Sequence, residues 1–179
     1  FVVSVMADPS GAYTTAAAMI ACVEAALQRG HGHGLEGQKV VVIGGAGPVG
    51  RIACVIAAQA GARVCLSNRD GLAEAETAAG VTGVRFGVTL QGVSGESQDT
   101  VHASLADADV ILACAAAGVQ VLSAVDLSHA RRLKVAADVN AVPPSGIAGI
   151  GVMDNGVPLP DTQAVGIGAG QQNRREAGQ

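Results

Sequence analysis

The feature that most constrains this fold is a glycine cluster between an apolar run and a helix-favouring segment, KVVVIGGAGPVGR at residues 39–51. Glycine is costly to order and gives a helix no side chain to pack. A strand that ends at Ile43, then Gly-x-Gly-x-x-Gly, then a helix is the arrangement that brings backbone close to a pyrophosphate. We assign the sharp turn to Gly45, the close backbone approach to Gly47 and the tight helix–strand contact to Gly50.

The start of the following helix has the properties of an anion site. Backbone N–H groups in a first helical turn have no partner within the helix, and the helix dipole favours negative charge there. Pro48 suits this position, since a missing N–H costs little at a helix start. No Gly-Lys-Ser or Gly-Lys-Thr follows, which excludes a Walker A loop. A glycine turn without any ligand is the alternative.

The order of elements along the chain predicts the fold class. Short β-rich runs alternate with helix-like stretches, and the runs are KVVVIG, ARVCLS, VRFGVTL, ADVILACA and LKVAADV. They are mostly continuous rather than alternating, which is typical of parallel strands covered on both faces. The sequence therefore predicts an α/β protein with a doubly wound, Rossmann-like parallel sheet. A long, mostly buried helix over residues 14–29 precedes that sheet.

Composition excludes several classes of partner. Hydrophobic residues make up 49% and aromatic residues 2%, so the core is expected to consist of Ala, Val, Ile and Leu. A net charge of −4 without a basic run argues against nucleic acid. No apolar run reaches the length of a membrane span and no secretion leader is visible. Four scattered cysteines without a C-x-x-C pair indicate buried, reduced thiols and a cytoplasmic protein. His31 and His33 lack further ligands nearby, so we predict no metal site.

The end of the second predicted strand indicates which dinucleotide fits. NAD sites usually place Asp or Glu about 20 residues downstream, where it binds the ribose 2′-hydroxyl. This strand ends in Ser67, Asn68 and Arg69, whose donors and positive charge suit a 2′-phosphate. The sequence predicts NADP, with NAD as the second choice. Two alternatives stay open: a one-residue shift would bring Asp70 to the ribose, and Arg69 could be a solvated residue at a helix start.

Three further segments could border the ligand crevice. Ala115, Ala116 and Gly118 follow the fourth strand and are small enough to let a cofactor lie against main chain. A plain loop is the alternative. The second segment follows the fifth strand and contains the polar residues Asp138 and Asn140 and the rigid Pro143. The third lies near the amino terminus and contains Asp8, Ser10 and Thr14.

Each polar group has a competing structural role. Asn140 could form an Asx turn, and Pro143 and Pro144 stiffen that loop, with one of their peptide bonds a candidate for the cis form. Asp8 and Ser10 precede a long helix and could simply cap it.

Five segments in the same order resemble the NADP-dependent methylene-tetrahydromethanopterin dehydrogenases, some of which also use methylene-tetrahydrofolate. They are ADPSGAYTTAAAM, VVIGGAGPVG, DADVILACAAAG, ADVNAVPPSGIAGI and AVGIGA. The resemblance implies an enzyme of one-carbon metabolism that moves hydride from the methylene bridge of a reduced pterin to NADP. Nitrogen lone pairs stabilise the resulting cation, so orientation carries most of the rate and we assign no catalytic residue.

The resemblance also implies which residues take part. The pyrophosphate would be held by Gly45, Gly47, Val49 and Gly50, and the 2′-phosphate by residues 67–69. The turn at residues 8–14 and the loop at residues 138–144 would border the pterin crevice, and the protein would be a homo-oligomer.

The match to this family is uneven at both ends of the chain. We interpret residues 1–30 as the remnant of an N-terminal substrate domain with a linker helix, and residues 31–170 as the NADP-binding Rossmann domain. Residues 171–179 form an atypical polar tail where the family has an apolar helix. The sequence therefore predicts an incomplete enzyme.

Two other functions remain as alternatives. The first is a non-catalytic module that binds or senses NADP. The second is another doubly wound NADP oxidoreductase, such as one that acts on shikimate-like acids, although the Lys–Asp pair expected for that chemistry is not visible.

Overall fold

The computed structural model describes residues 7, 8 and 10–170. These residues form five α-helices and seven strands. The helices are α1 (Ala12–His31), α2 (Pro48–Gln59), α3 (Leu72–Phe86), α4 (Gln98–Leu105) and α5 (Ala124–Ser128). The strands are β1 (Lys39–Ile43), β2 (Arg63–Asn68), β3 (Leu90–Ser94), β4 (Val110–Ala113), β5 (Val135–Asp138), β6 (Asn155–Pro158) and β7 (Val165–Ile167).

The strands form one sheet in the order β3-β2-β1-β4-β5-β7-β6. All neighbours pair in parallel except β6, which pairs antiparallel with β7. The predicted doubly wound, mostly parallel α/β sheet is confirmed. The chain reverses its winding direction between β1 and β4, so a crevice is expected at the carboxyl ends of these two strands.

Successive residues of β1 point into two separate cores. Val40 and Val42 lie in the cluster formed with α1, α2 and α3, whereas Val41 and Ile43 lie in the cluster that includes residues of α4 and α5. Both faces of a central parallel strand are therefore covered, which explains its uninterrupted apolar sequence. Alanines dominate the buried faces of α1 and α2, as expected for a core almost without aromatic side chains.

The prediction of a strand at VRFGVTL, residues 84–90, is wrong. Helix α3 continues to Phe86 and ends at Gly87, whose φ of +66° is left-handed, and β3 begins only at Leu90. The buried positions of α3 are spaced three, one, three and one residues apart, which is the repeat of a helix. They are Ala75, Ala78, Ala79, Thr82 and Gly83. Strands β6 and β7 are short and had not been predicted.

The amino-terminal edge of the sheet is held together by a buried carboxylate. Asp109 is 1% exposed and accepts hydrogen bonds from the Lys39 amide at 2.9 Å and from Arg132 Nη2 at 3.1 Å, and Lys134 Nζ lies 3.4 Å away. Burial alone would raise the pKa of Asp109, but the amide and the two cations outweigh it and hold the pKa below its ordinary value. This group therefore favours the folded state in its ionised form.

Among the described residues, no helix combines the length and apolar character required to cross a membrane. The predicted polar tail at residues 171–179 lies outside the described residues.

Candidate functional site

A cavity of about 400 Å³ opens at the carboxyl edge of the sheet, where β1 and β4 diverge. Its size is within the range of small-molecule sites. Five chain segments contribute to its walls: the glycine turn, the end of β2, the turn after β3, helix α4 and the loop after β4. The lining residues are Ile43, Gly44, Ala46, Gly47, Ser67, Asn68, Arg69, Gly95, Val101, Cys114, Ala115, Ala116, Val119 and Val121.

The sharp turn after β1 depends on Gly44 rather than on Gly45, to which we had assigned it. Gly44 has a φ of +71°, and a Cβ there would lie 2.9 Å from the Cα of Ala115. Gly45 is required for a different reason, since its Cβ would lie 2.8 Å from Leu66 Cγ. Sequence reasoning missed Gly44 because the Gly-x-Gly-x-x-Gly pattern begins one residue later, although a second adjacent glycine was the available signal.

The remaining two glycines differ in what surrounds them. A Cβ on Gly50 would lie 2.5 Å from the Gly44 carbonyl oxygen and 2.7 Å from Gly45 Cα, so α2 packs directly on the turn. At Gly47, by contrast, a Cβ would meet only the Gly44 carbonyl, at 3.4 Å, and the space beyond is open.

The first turn of α2 offers amides to a ligand. Gly47 is the N-cap of α2 and provides no side chain to accept from the first-turn amides. Pro48 follows it, so the N–H groups of Val49 and Gly50 have no acceptor within the helix. This backbone cradle fits a pyrophosphate, because it combines open space, free donors and the positive end of a helix.

The three residues at the end of β2 line the cavity together, but in different ways. Ser67 is 2% exposed, and its carbonyl accepts from the Gly45 amide at 3.1 Å. Asn68 Oδ1 accepts from the Asp70 amide at 3.1 Å, which leaves its NH₂ group for other partners. The Arg69 side chain is 92% exposed and its Nε lies 3.6 Å from an Asp70 carboxylate oxygen. Asp70 itself is not among the lining residues.

After β4, the structure brings only part of the predicted segment to the cavity. Ala115 and Ala116 line it, together with Cys114. Gly118 does not; it has a φ of +74° and donates its N–H to Asn140 Oδ1 at 3.1 Å. Gly118 therefore joins the loop after β4 to the loop after β5.

The polar residues after β5 stabilise their own loop rather than line the cavity. Asp138 is 2% exposed, and its two oxygens accept from the amides of Asn140 at 2.9 Å and Ile147 at 3.1 Å. Burial raises the pKa of Asp138. Asn140 forms the Asx turn considered above, accepting from the Val142 amide at 3.0 Å, and donates to the Pro144 carbonyl at 2.9 Å. The Pro143–Pro144 bond is cis.

The amino-terminal polar residues act as a helix cap. Asp8 Oδ2 accepts from the Thr14 amide at 2.9 Å and from its hydroxyl at 3.0 Å, and the Thr14 amide lowers the pKa of Asp8 most. The N-cap position itself is Gly11, with a φ of +64°, and Ser10 is exposed. The capping role considered for Asp8 is therefore what the structure shows, and none of the three predicted residues lines the cavity.

Sequence reasoning missed the apolar wall of the cavity. Val101 on α4, Val119 and Val121 in the loop after β4, and Gly95 after β3 complete it. A Cβ on Gly95 would lie 2.7 Å from Ser67 Oγ, so this turn packs on the end of β2. Their apolar character alone gives no signal of a site, because their proximity depends on the strand order.

Cys114 is the one thiol among the lining residues. The four cysteines form no disulfide, with Cys22, Cys54 and Cys65 buried as predicted and Cys114 half-buried at the cavity. Burial, with the nearby charge of Asp138, raises the pKa of Cys114 to about 12, so the thiol is protonated and a poor nucleophile near neutral pH. The described residues contain no cluster of three or more metal-ligating side chains.

Comparison with known proteins identifies sequence relatives of this chain. No family model matches the sequence. The NAD(P)-dependent methylenetetrahydromethanopterin dehydrogenase of Methylorubrum extorquens is 47% identical over 169 residues, which are 94% of this chain and 57% of that protein. Over nearly its whole length the chain is therefore related in sequence to part of a methylenetetrahydromethanopterin dehydrogenase. The resemblance predicted from its sequence segments is thereby confirmed.

Two further proteins are more distantly similar to this chain. The bifunctional protein MdtA of the same organism is 33% identical over 156 residues, which are 87% of this chain and 52% of MdtA. The structure of quinate dehydrogenase from Corynebacterium glutamicum in complex with NAD superposes with a TM-score of 0.65 at 17% identity, over 92% of this chain and 54% of that one. At that identity the likeness concerns the fold alone. The chain spans a little over half the length of the two sequence relatives.

Proposed function

We propose that this chain binds NADP in the cavity at the carboxyl edge of its sheet and takes part in oxidising methylene-tetrahydromethanopterin. The observation that supports the proposal most is the 47% identity to a methylenetetrahydromethanopterin dehydrogenase over 94% of the chain. The glycine turn, the donors at the start of α2 and the Ser67–Arg69 strand end all border this cavity or lie next to it.

Within the proposal, the predicted cofactor residues at the start of α2 and after β4 have separate tasks. The amides of Val49 and Gly50 bind the pyrophosphate at the start of α2, and Gly47, whose own amide donates to the Gly44 carbonyl at 3.1 Å, lets the backbone approach it closely. The backbone beside Ala115 and Ala116 lets the nicotinamide end lie close to β4. When bound, the nicotinamide ring supplies the chemistry of hydride acceptance.

The lining side chains favour orientation over acid–base catalysis. Apart from Arg69, they include no charged group, and the Cys114 thiol is held protonated by its raised pKa. Asp138 accepts from two loop amides and is not among the lining residues. A hydride donor flanked by two nitrogens needs no base, so a cavity of this kind is sufficient if donor and acceptor are aligned.

A non-catalytic NADP-binding module is the second candidate, and the same absence of charged lining groups besides Arg69 is compatible with it.

Titration calorimetry with NADP and NAD tests binding, and absorbance of NADPH tests turnover with methylene-tetrahydromethanopterin or methylene-tetrahydrofolate. We expect NADP binding, and turnover faster with the methanopterin carrier than with the folate. Binding without turnover would favour the module, and lack of binding would refute both.

Two further features are part of the proposal. We expect the protein to act in the reducing cytoplasm, consistent with four cysteines outside any disulfide, three of them buried. We also expect a homo-oligomer, as the family resemblance implies. Light scattering on the purified chain gives its mass directly, and a monomer at micromolar concentration would contradict this expectation.

A further inference from the structure

A second hollow lies beside the cofactor cavity, between α2 and α3. Its volume is about 300 Å³, and it shares the lining residues Ala46 and Asn68 with the cavity, so the two spaces lie side by side at that point. Its other walls include Arg51 from α2 and Glu74 and Thr77 from α3. A group attached to a ligand at the end of β2 could therefore enter this hollow past Asn68.

Arg51 is held in place at the edge of the hollow. Its Nε donates to the Ala46 carbonyl at 2.8 Å, and its Nη1 donates to Thr82 Oγ1 at 3.1 Å. These two contacts use two of the five N–H donors of the guanidinium group. Arg51 forms no ion pair with any carboxylate in the described part of the chain. A partly buried, oriented and unneutralised cation favours an anionic ligand.

Arg69, to which we had assigned the 2′-phosphate, is a weaker candidate for selectivity. Its side chain is 92% exposed and lies beside the Asp70 carboxylate, which offsets its charge. A ligand that recruits Arg69 must order a long solvated side chain, whereas Arg51 is already ordered. Preorganisation therefore favours Arg51.

We propose that Arg51, together with the free side-chain amide of Asn68, binds the 2′-phosphate of NADP in the hollow between α2 and α3. The inference rests on the proposed binding of NADP. Glu74 also borders the hollow, but its Oε2 lies near the start of α3, 3.1 Å from where a Cβ on Gly71 would stand. Its negative charge opposes phosphate binding in the hollow.

Two nucleotide fragments test the inference without the nicotinamide or the pterin. Adenosine 2′,5′-bisphosphate carries the 2′-phosphate and adenosine 5′-monophosphate lacks it. We expect Arg51→Gln to weaken binding of the bisphosphate by about tenfold to a hundredfold, the effect of one lost charge-assisted contact, and that of the monophosphate by less than about twofold. Arg69→Gln is the matched control and should weaken binding of the bisphosphate by less than about threefold.

If Arg51→Gln lowered the affinity for both nucleotides equally, Arg51 would only support the Ala46 turn, and the inference would be overturned. No loss, or a larger selective loss in Arg69→Gln, would overturn it as well. Thr82→Val adds a milder variant, which releases one guanidinium contact and should weaken the bisphosphate selectively by about twofold to fivefold.

The outcomes also separate this inference from the proposed enzymatic function. Selective bisphosphate binding by the unaltered chain, lost in Arg51→Gln, supports the 2′-phosphate site even if no pterin is oxidised. An unaltered chain that binds both fragments equally overturns the site even if the dehydrogenase assay succeeds.

Discussion

At the scale of single residues, the candidate site consists largely of backbone, and glycine is chosen where backbone must be exposed or crowded. Gly47 is the position with room for a side chain, since a Cβ there meets only one atom, at 3.4 Å. Its φ of −73° and ψ of 169° are also those of an ordinary N-cap residue. A side chain can therefore be introduced at position 47 without backbone strain.

We predict that Gly47→Asp keeps the fold and strongly weakens cofactor binding. An aspartate at this N-cap satisfies first-turn amides of α2 and stabilises the helix, by about 1 kcal/mol at most, while its charge repels a pyrophosphate. The Kd for NADP should rise at least about tenfold. Gly47→Asn is the matched control, because it caps the helix without a charge and should weaken NADP less. Calorimetry with both variants would refute the prediction if their affinities were equal.

At the scale of elements, what the sequence predicts well is local. The glycine motif, the strand before it and the helix after it are neighbours in the chain, so residues 39–51 alone predict that unit. Arg51 also carried a local signal, since it is a basic residue directly after the motif. The wall formed by Val101 and Val121 had no such signal, because it depends on where β4 enters the sheet. The error at α3 arose from its exposed apolar residues, such as Val84 at 89% exposure, which imitate a strand.

The contact between α2 and the glycine turn provides a stability prediction. Gly50→Ala should lower the free energy of unfolding by about 1–3 kcal/mol, because its Cβ would stand 2.5 Å from backbone that cannot retreat without moving β1. Gly80→Ala in α3 is the control, since a Cβ there meets nothing within 4 Å. That change should instead stabilise the protein by about 0.5–1 kcal/mol. Urea unfolding measures both, and a neutral Gly50→Ala would contradict the close packing.

The amino ends of β1 and β4 provide a pH prediction. Because the folded pKa of Asp109 lies below its ordinary value, its ionised form stabilises the fold above about pH 4, and that stability is lost as the pH falls further. Asp109→Asn should therefore lose less stability than the unaltered chain between about pH 6 and about pH 3. Urea midpoints across that range measure the difference, with exposed Glu76→Gln as the charge-matched control. If the urea midpoints of Asp109→Asn and of the unaltered chain fell in parallel with pH, the predicted role of Asp109 would be refuted.

At the scale of the whole molecule, the cavity joins parts of the chain that are far apart in sequence. The turn after β1, the end of β2, the turn after β3 and the loop after β4 meet only because the sheet reverses its winding between β1 and β4. A ligand in the cavity contacts several of these segments at once. Because they come together only in the folded chain, its binding energy is available to the folded state alone.

Bound NADP should therefore stabilise the whole molecule. At a free concentration about 100 times its Kd, NADP should add about 2.7 kcal/mol to the free energy of unfolding, which for a chain of 179 residues raises Tm by about 5–10 °C. Thermal unfolding followed by circular dichroism measures this shift as a function of NADP. At the same NADP concentration the Gly47→Asp chain should gain at most about 1.4 kcal/mol, and therefore about half of this shift or less, because its Kd for NADP is raised at least about tenfold. A shift of equal size in that variant would place the ligand elsewhere on the protein.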